Sequence, residues 1–149
     1  MSFTNRTAQA LLNSLFGKTS NFGALASAPT LYVALSSTTP AEDGTGFTEP
    51  VGNAYARVAV PAGSWDPATL ADPSAIANAV EVAFAEATGT WGTMTHLGIF
   101  DAATAGNLVL QDLLRDPLDA GNPPAALARL VNSGTTLRFA IGELIVTLD

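Results

Sequence analysis

The chain has 149 residues, of which 48% are apolar, 13% are charged and none is cysteine, and its formal net charge is −7. This length fits one domain with a substantial core. The acidic balance argues against nucleic-acid binding, because the six basic residues stand singly along the chain and phosphate binding requires clusters. Without cysteine there are no disulfides, thiolate metal sites or thiol catalysis.

The charged fraction is about half the usual share, which indicates that part of the surface meets another protein instead of water. No apolar run approaches the roughly 18 residues of a membrane span. Residues 1–6 lack the apolar core of a signal peptide. We therefore expect a protein that is made in a cytoplasm and that has no membrane among its partners.

Residues 4–16 carry the one clear helical period of the sequence. The apolar members of one helical face are Ala8, Leu11, Leu12, Leu15 and Phe16. Thr4 is suited to cap the start of this helix and Gly17 to end it. The pattern predicts a helix that closes one end of the domain. The alternative is that residues 1–17 form an arm that docks on a neighbouring subunit, since terminal elements are easily exchanged between protomers.

From residue 31 onwards the apolar period changes to two, which predicts strands. The predicted strands are 31–35, 55–60, the second half of 75–87, 93–101, 107–114, 135–141 and 144–148. Gly106 suits a hairpin turn, and Gly142 marks a bulge or bend. Long loops are predicted at 36–50, 65–74 and 115–124, where proline and glycine recur. The alanine-rich stretch 125–131 is predicted to form a short helix.

About seven short strands with Gly and Pro in the turns predict a mainly β fold. The expected architecture is an antiparallel β-sandwich or partly closed barrel with an N-terminal α-helix. We predict a single domain, 1–149, in which the arm 1–17 is followed by a β domain at 31–149. The alternation assigns to the core Leu31, Val33, Leu35, Val58, Val82, Phe84, Ile99, Phe100, Leu137, Phe139, Leu144 and Val146.

Motifs for catalysis or phosphate binding fail in this sequence. His96 is the one histidine, and without cysteine a zinc site would need an unusual set of carboxylate or water ligands beside it. We therefore interpret His96 as a surface or hydrogen-bonded residue. No Gly-x-Ser-x-Gly elbow occurs. Gly17-Lys18-Thr19 resembles the end of a phosphate-binding loop, but Leu12 stands where that loop requires a glycine.

Three carboxylates, Glu42, Asp43 and Glu49, lie in the predicted loop 36–50, where they could hold calcium. They lack the alternating ligand spacing of a calcium loop, so we interpret the segment as a solvated loop. Asp101, at the end of a predicted strand, is expected to cap the following turn. The sequence thus predicts no catalytic residue, no metal site and no cofactor.

Several local strings, in order along most of the chain, resemble a family of short bacteriophage virion proteins that are often labelled tail fibre proteins. They are Phe-Gly-Lys at 16–18, Leu-Tyr-Val-Ala-Leu at 31–35, Tyr-Ala-Arg-Val at 55–58, Thr-Trp-Gly-Thr-Met-Thr-His at 90–96, Gly-Ile-Phe-Asp at 98–101 and Gly-Glu-Leu-Ile-Val-Thr-Leu-Asp at 142–149. The resemblance implies a structural part of the virion without catalytic residues. It also implies a homo-oligomer, in our interpretation a trimer, bound to a major capsid or tail protein.

Two places in the virion fit such a protein. The chain has neither the heptads nor the repeats of a long fibre, so we favour a capsid decoration (cement) protein on the outer capsid surface. The alternative is a tail fibre or tail-tip protein that contacts the host surface. A third hypothesis is a carbohydrate-binding module, for which Trp65 beside Asp66 is the candidate aromatic, whereas Trp91 is assigned to the core. The candidate interface residues are Leu11, Leu12, Leu15, Phe16, Phe47 and Trp65.

Overall fold

The computed structural model describes residues 5–18, 30–41, 43–116 and 125–148. In chain order the elements are α1 (Asn5–Leu15), β1 (Leu31–Ser36), β2 (Val58–Val60), a short 3-10 helix (Ala62–Ser64), β3 (Ser74–Ala77), β4 (Val82–Ala83), β5 (Gly92–Met94), β6 (His96–Phe100), β7 (Leu108–Leu113), β8 (Arg129–Val131), β9 (Arg138–Phe139) and β10 (Ile145–Leu148). The predicted helix cap, Thr4, lies outside the described residues.

The chain divides into two compact units, each assembled from separate stretches of sequence. Unit 1 comprises Met1–Leu31, Val60–Val82 and Phe139–Asp149. Unit 2 comprises Tyr32–Ala59 and Ala83–Arg138. The helix therefore belongs to the same unit as the C-terminal strand, although the sequence between them passes through unit 2. The sequence-based division into an arm and a β domain stays a prediction.

Unit 1 consists of α1 packed against β3 and β10. The two strands pair antiparallel, with Ile145 opposite Ala77 and Leu148 opposite Ser74. The helix presents an apolar stripe because Leu12 and Phe16, one turn apart, are both buried. Gly17 adopts φ +69°, a left-handed conformation that favours glycine and ends the helix where the sequence predicts.

A buried asparagine joins two stretches of unit 1. Asn78 is fully buried, and its Nδ2 donates hydrogen bonds to the carbonyl oxygens of Val80, at 2.7 Å, and Ala140, at 2.8 Å. Its Oδ1 accepts a hydrogen bond of 2.9 Å from the Leu144 N–H. One side chain thus binds three backbone groups and joins the stretch around Asn78 to the stretch that contains Ala140 and Leu144.

Unit 2 is built on a four-stranded sheet in the order β2-β1-β6-β7. β1 and β6 pair antiparallel, with Val33 opposite Ile99 and Ala34 opposite Gly98. β6 and β7 form the predicted hairpin, and its register shifts between Ile99 and Phe100. A smaller antiparallel pairing joins β5 with β8. The sheets hold β6, which carries His96, Gly98 and Phe100, at the centre of the unit.

The predicted mainly β fold with one N-terminal helix is confirmed, and none of the described sheets closes into a barrel. The predicted helix at 125–131 is wrong. The Leu127 N–H donates to the Leu114 carbonyl oxygen, Ala126 bridges Arg115, and residues 129–131 form β8. A helix of seven residues is marginal by itself, so pairing with neighbouring strands determines the conformation.

The predicted strand at 55–60 shortens to β2, and the segment before it contains a turn in which Asn53 and Ala54 adopt positive φ. In the stretch 75–87, where the sequence predicts a strand for the second half alone, the first half also forms a strand, β3. All of the predicted core residues are buried except Val58 and Val146, which are half-buried. Both of these valines lie in short strands at the edge of their sheets.

Candidate interaction surfaces

A buried arginine clamps two loops of unit 2. The Arg57 Nη2 lies 2.6 Å from Glu49 Oε1, and the Arg57 Nε donates to both carboxylate oxygens of Glu49 at 3.1 Å. The Nη1 donates to the carbonyl oxygens of Ala102, at 2.8 Å, and Ala105, at 2.7 Å. The Arg57 side chain is only 7% exposed. This planar fork of donors therefore fixes the loop that contains Glu49 and the turn of the β6–β7 hairpin together.

Aromatic packing supports the Arg57 clamp from below. The guanidinium carbon lies 3.5 Å above the centre of the Phe100 ring. Phe47 packs its edge against Phe100, with ring centroids 5.1 Å apart and an interplanar angle of 79°. Gly98 leaves room for this contact, because a Cβ there would lie 2.5 Å from Phe47 Cε2. Phe47 is half-buried, so part of this predicted interface residue stays accessible.

Tyr55 completes the polar network around Glu49. Its hydroxyl donates to Glu49 Oε2 at 2.8 Å and accepts a hydrogen bond of 3.0 Å from the Leu35 N–H in β1. Burial raises the pKa of the Tyr55 phenol above its ordinary value. The phenol therefore stays neutral, and its contacts are those of a structural side chain that fastens a loop to the sheet.

The next loop of unit 2 is organised by Asn53, which has φ +53°. The Asn53 carbonyl oxygen accepts hydrogen bonds from Trp91 Nε1, at 2.9 Å, and from the Thr88 N–H, at 3.2 Å. Its Nδ2 donates to the Thr90 carbonyl oxygen at 3.1 Å. Trp91 is buried, as predicted, beside Tyr55. Asn53 therefore holds the segment 51–54 against the segment 86–90.

A third segment of unit 2 joins these two through backbone hydrogen bonds. The Gly134 N–H donates to the Ala87 carbonyl oxygen at 2.7 Å, and the Ala87 N–H donates to the Thr135 carbonyl oxygen at 2.9 Å. We call the three segments 51–54, 86–90 and 132–136 the loop rim. Most of its residues are exposed, and Val51 is 92% exposed. The loop rim thus presents solvent-facing side chains on a backbone that is fixed by hydrogen bonds.

The predicted interface residues of the helix divide into two groups. Leu12 and Phe16 are buried, and Phe16 contacts Trp65 edge-to-face with ring centroids 4.4 Å apart. Trp65 is 1% exposed, so these three side chains belong to the interior of unit 1. Leu11 is 38% exposed and Leu15 is half-buried. A role in an interface therefore stays a prediction for Leu11 and Leu15, together with Phe47.

The interpretation of Trp65 as an exposed sugar-binding aromatic is wrong. Its ring is enclosed by unit 1, and its indole Nε1 is buried without a hydrogen-bond acceptor among the described residues. The neighbouring segment is tied to α1, because Asn13 Oδ1 accepts a hydrogen bond from the Ala68 N–H at 2.8 Å and Gln9 Nε2 donates to the Ala68 carbonyl oxygen at 3.0 Å. The sequence pattern predicted a loop at 65–74, and it contained no sign that the helix packs over this loop.

The carboxylates singled out in the sequence serve separate turns. Asp43 Oδ1 accepts hydrogen bonds from the Thr45 hydroxyl and N–H, which lower the pKa of Asp43. Asp101 accepts hydrogen bonds of 2.7 Å from the backbone N–H and Nδ2 of Asn107, which lower the pKa of Asp101 and cap the hairpin turn as predicted. Glu42 lies outside the described residues. Within the described ranges, no group of three potential metal-ligating side chains occurs.

His96 lies in β6 and is 7% exposed. Its Nδ1 is 2.8 Å from the Thr95 hydroxyl oxygen, so the ring is hydrogen-bonded within unit 2. The Thr95 N–H in turn donates to the Ser36 carbonyl oxygen at 2.9 Å. This arrangement confirms the interpretation of His96 as a hydrogen-bonded residue.

A shallow groove of about 310 Å³ lies in unit 2 between residues 127–131 and residues 135–138. We call it the edge groove. Leu130 is 61% exposed and Leu127 is 38% exposed at its side, and Arg129 is half-exposed between them. Sequence reasoning missed this surface because it assigned 125–131 to a helix, which would have placed Leu127 and Leu130 on one buried face.

No helix within the described ranges has the length and apolar character needed to cross a membrane. A comparison with curated proteins finds no match. A family model described as Podophage GP4 fiber I protein gp80 matches residues 2–147, which is nearly the whole chain. The chain therefore belongs to the Podophage GP4 fiber I protein gp80 family and is a phage structural protein of the fibre type.

Proposed function

We propose that this protein is a non-enzymatic subunit of a phage tail fibre or tail tip that contacts the host surface. The observation that carries the proposal is the match of residues 2–147 to a fibre protein family. Membership in that family implies a component of the virion that associates with other virion proteins. The partners we propose are thus a tail protein and further copies of this chain.

The contacts of the charged and aromatic residues support a structural role. Glu49 and Arg57 neutralise one another inside unit 2, and Asp101 is occupied by its own turn. Each of these groups stabilises a loop instead of standing exposed beside a nucleophile or a general base. We infer that binding, without a chemical step, is the activity of this chain.

The loop rim is the surface that we propose for contact with the host. Binding residues are often placed on loops that a rigid scaffold positions. In the loop rim, the Asn53 side chain and the backbone of Ala87 fix the three segments, while Val51 projects into solvent. A rigid rim with exposed side chains loses little conformational entropy on binding.

Capsid decoration was favoured by the sequence because the chain is short and has no fibre repeat. The family description favours the tail fibre instead. Length does not contradict this, since a compact subunit can occupy a fibre tip without spanning the fibre. We therefore propose the fibre location and treat decoration of the capsid as the competing outcome of the test.

A phage that lacks this chain tests the proposed function. We expect the mutant particles to keep intact, heat-stable heads and to adsorb poorly to host cells, with adsorption restored when the chain is supplied in trans. A Val51→Asp variant should complement assembly but not adsorption, whereas Leu70→Asp, at a position that is 66% exposed in unit 1, should restore both. Fragile heads with normal adsorption would contradict the proposal and favour capsid decoration.

A further inference from the structure

One wall of the edge groove contains β8, and one edge of this strand is open. Among the described residues β8 has one strand partner, β5, and the Val131 carbonyl oxygen accepts a hydrogen bond from the Trp91 N–H on that side. Neighbouring residues of a strand direct their backbone groups to opposite edges, so the N–H and C=O of Leu130 face away from β5. An open edge with exposed apolar side chains is a preferred place for another chain to bind.

The edge groove combines apolar and positive character. Leu127 precedes and Leu130 follows Arg129 in sequence, and the Arg129 side chain forms no hydrogen bond or ion pair with another residue of the described chain. No residue that lines the groove carries a carboxylate. On a chain with a net charge of −7 this makes the groove a local positive site. It should therefore attract an acidic partner with exposed apolar side chains.

Unit 1 carries a surface of that chemistry. Ile141 is 68% exposed and Ile145 is 60% exposed, and the half-exposed Glu143 lies between them in sequence. The turn is fixed, because the Glu143 N–H donates to the Ala140 carbonyl oxygen at 3.1 Å and the Glu143 carboxylate accepts a hydrogen bond from the Ala140 N–H. A carboxylate has further lone pairs with which it can bind an arginine. We call residues 141–145 the acidic turn.

We propose that the edge groove of one copy binds the acidic turn of a second copy. Each surface combines exposed apolar side chains with one charged side chain, and the charges of Arg129 and Glu143 are opposite. The two surfaces are different, and the contact is therefore heterologous, which closes a ring or extends a filament. The inference deepens the proposed function and rests on it. Copies assembled in a fibre are held at a high local concentration, and a contact as small as this one is occupied only at such a concentration.

Site-directed disulfide trapping tests this pairing, because the chain has no cysteine of its own. Leu130→Cys in one preparation and Ile141→Cys in a second place one thiol in each proposed surface. Mixed at high concentration and oxidised, they should form at least about tenfold more disulfide-linked dimer than a control mixture of Val51→Cys and Leu70→Cys. These two positions lie outside both surfaces, and Val51 is more exposed than either trapping position, so the control does not underestimate chance collisions. Neither variant alone should exceed that background.

The charge pair is tested in the same assay. Adding Arg129→Glu to the Leu130→Cys chain should lower the yield of mixed dimer several-fold, and adding Glu143→Lys to its Ile141→Cys partner should restore it. Unchanged thermal unfolding of each variant shows that the units stay folded. A mixed yield at background, or a dimer formed by the Leu130→Cys chain alone, would overturn the pairing. The place of the protein in the virion is measured separately, so this result does not decide the proposed function.

Discussion

The two units of this protein are stabilised by different kinds of polar contact. In unit 1 the buried polar side chains, Asn13, Ser74 and Asn78, are neutral and bind backbone groups, while Phe16 at the end of the helix packs against Trp65. In unit 2 a buried ion pair between Arg57 and Glu49 fastens the loops to the sheet. The difference indicates that packing determines the stability of unit 1, whereas the loops of unit 2 also depend on a pair of opposite charges.

The largest effect is expected from Phe16→Ala, which removes the aromatic contact with Trp65 in unit 1. The side chain is 1% exposed, and truncating a buried phenylalanine costs about 3–5 kcal/mol. Urea unfolding measures the change in the free energy of unfolding. Leu11→Ala, on the same helix but 38% exposed, is the matched control and should cost much less. Equal losses for the two variants would contradict the packing of α1 described above.

Arg57→Ala should weaken unit 2 by about 2–4 kcal/mol, because it removes the opposite charge beside Glu49 and the donor to two carbonyl oxygens. This is below the cost for a fully buried pair, since the Glu49 side chain is 24% exposed. Arg57→Lys should recover only part of the loss, because one ammonium cannot reproduce the fork.

The matched control for Arg57 is Arg115→Ala. It removes a pair with Asp112, whose side chain is 55% exposed, and this pair should contribute about 0–1 kcal/mol. Denaturant unfolding at low and high salt distinguishes the two pairs, because only the exposed pair is strongly screened. If Arg57→Ala were as mild as Arg115→Ala, the clamp would not be what holds the loops of unit 2.

Gly98→Ala should cost about 1–3 kcal/mol, because the new methyl group meets Phe47 and Leu108 and their side chains must move. Gly63→Ala serves as the control, since a Cβ at Gly63 meets no atom within 4 Å. The second variant should be close to neutral in thermal unfolding. A neutral Gly98→Ala would show that Phe47 does not lie over β6.

The smallest effect is confined to alkaline solution. Burial raises the pKa of Tyr55 in the folded chain, so the unfolded chain loses that proton first, near the ordinary pKa of about 10. The contribution of Tyr55 is therefore complete below about pH 10 and falls as the pH rises further. Tyr55→Phe should flatten this alkaline decline in the free energy of unfolding relative to the unaltered chain. An identical decline in the two proteins would assign the pH dependence to other groups.

Periodic patterns in the sequence predicted much of the secondary structure, but they could not predict contacts between distant loops. Leu12 and Phe16 at helical spacing placed α1, and Gly106 between two alternating stretches placed the β6–β7 hairpin. The pairing of Glu49 with Arg57 has no period, since the two lie eight residues apart in a segment that leaves the sheet. Their position on either side of the Gly52 turn is the one signal that could have indicated it.

The candidate interface was harder to predict than the fold, because an apolar side chain looks the same in sequence whether it faces its own core or a partner. Trp65 and Phe16 were assigned to an interface and are buried against each other. Leu130 and Ile141 received no role, yet both are largely exposed. Only the burial of each side chain distinguishes the two cases, and burial depends on contacts between stretches that are far apart in sequence.

The location of the protein in the virion tests the central claim most directly. A gold-labelled tag on this chain, imaged on purified particles by electron cryomicroscopy, should lie on the tail fibres or the tail tip and leave the heads unlabelled. This is the result expected for a structural protein of the Podophage GP4 fiber I protein gp80 family that contacts the host. Gold distributed over the capsid surface, with unlabelled tails, would contradict the proposed function and assign the protein to capsid decoration.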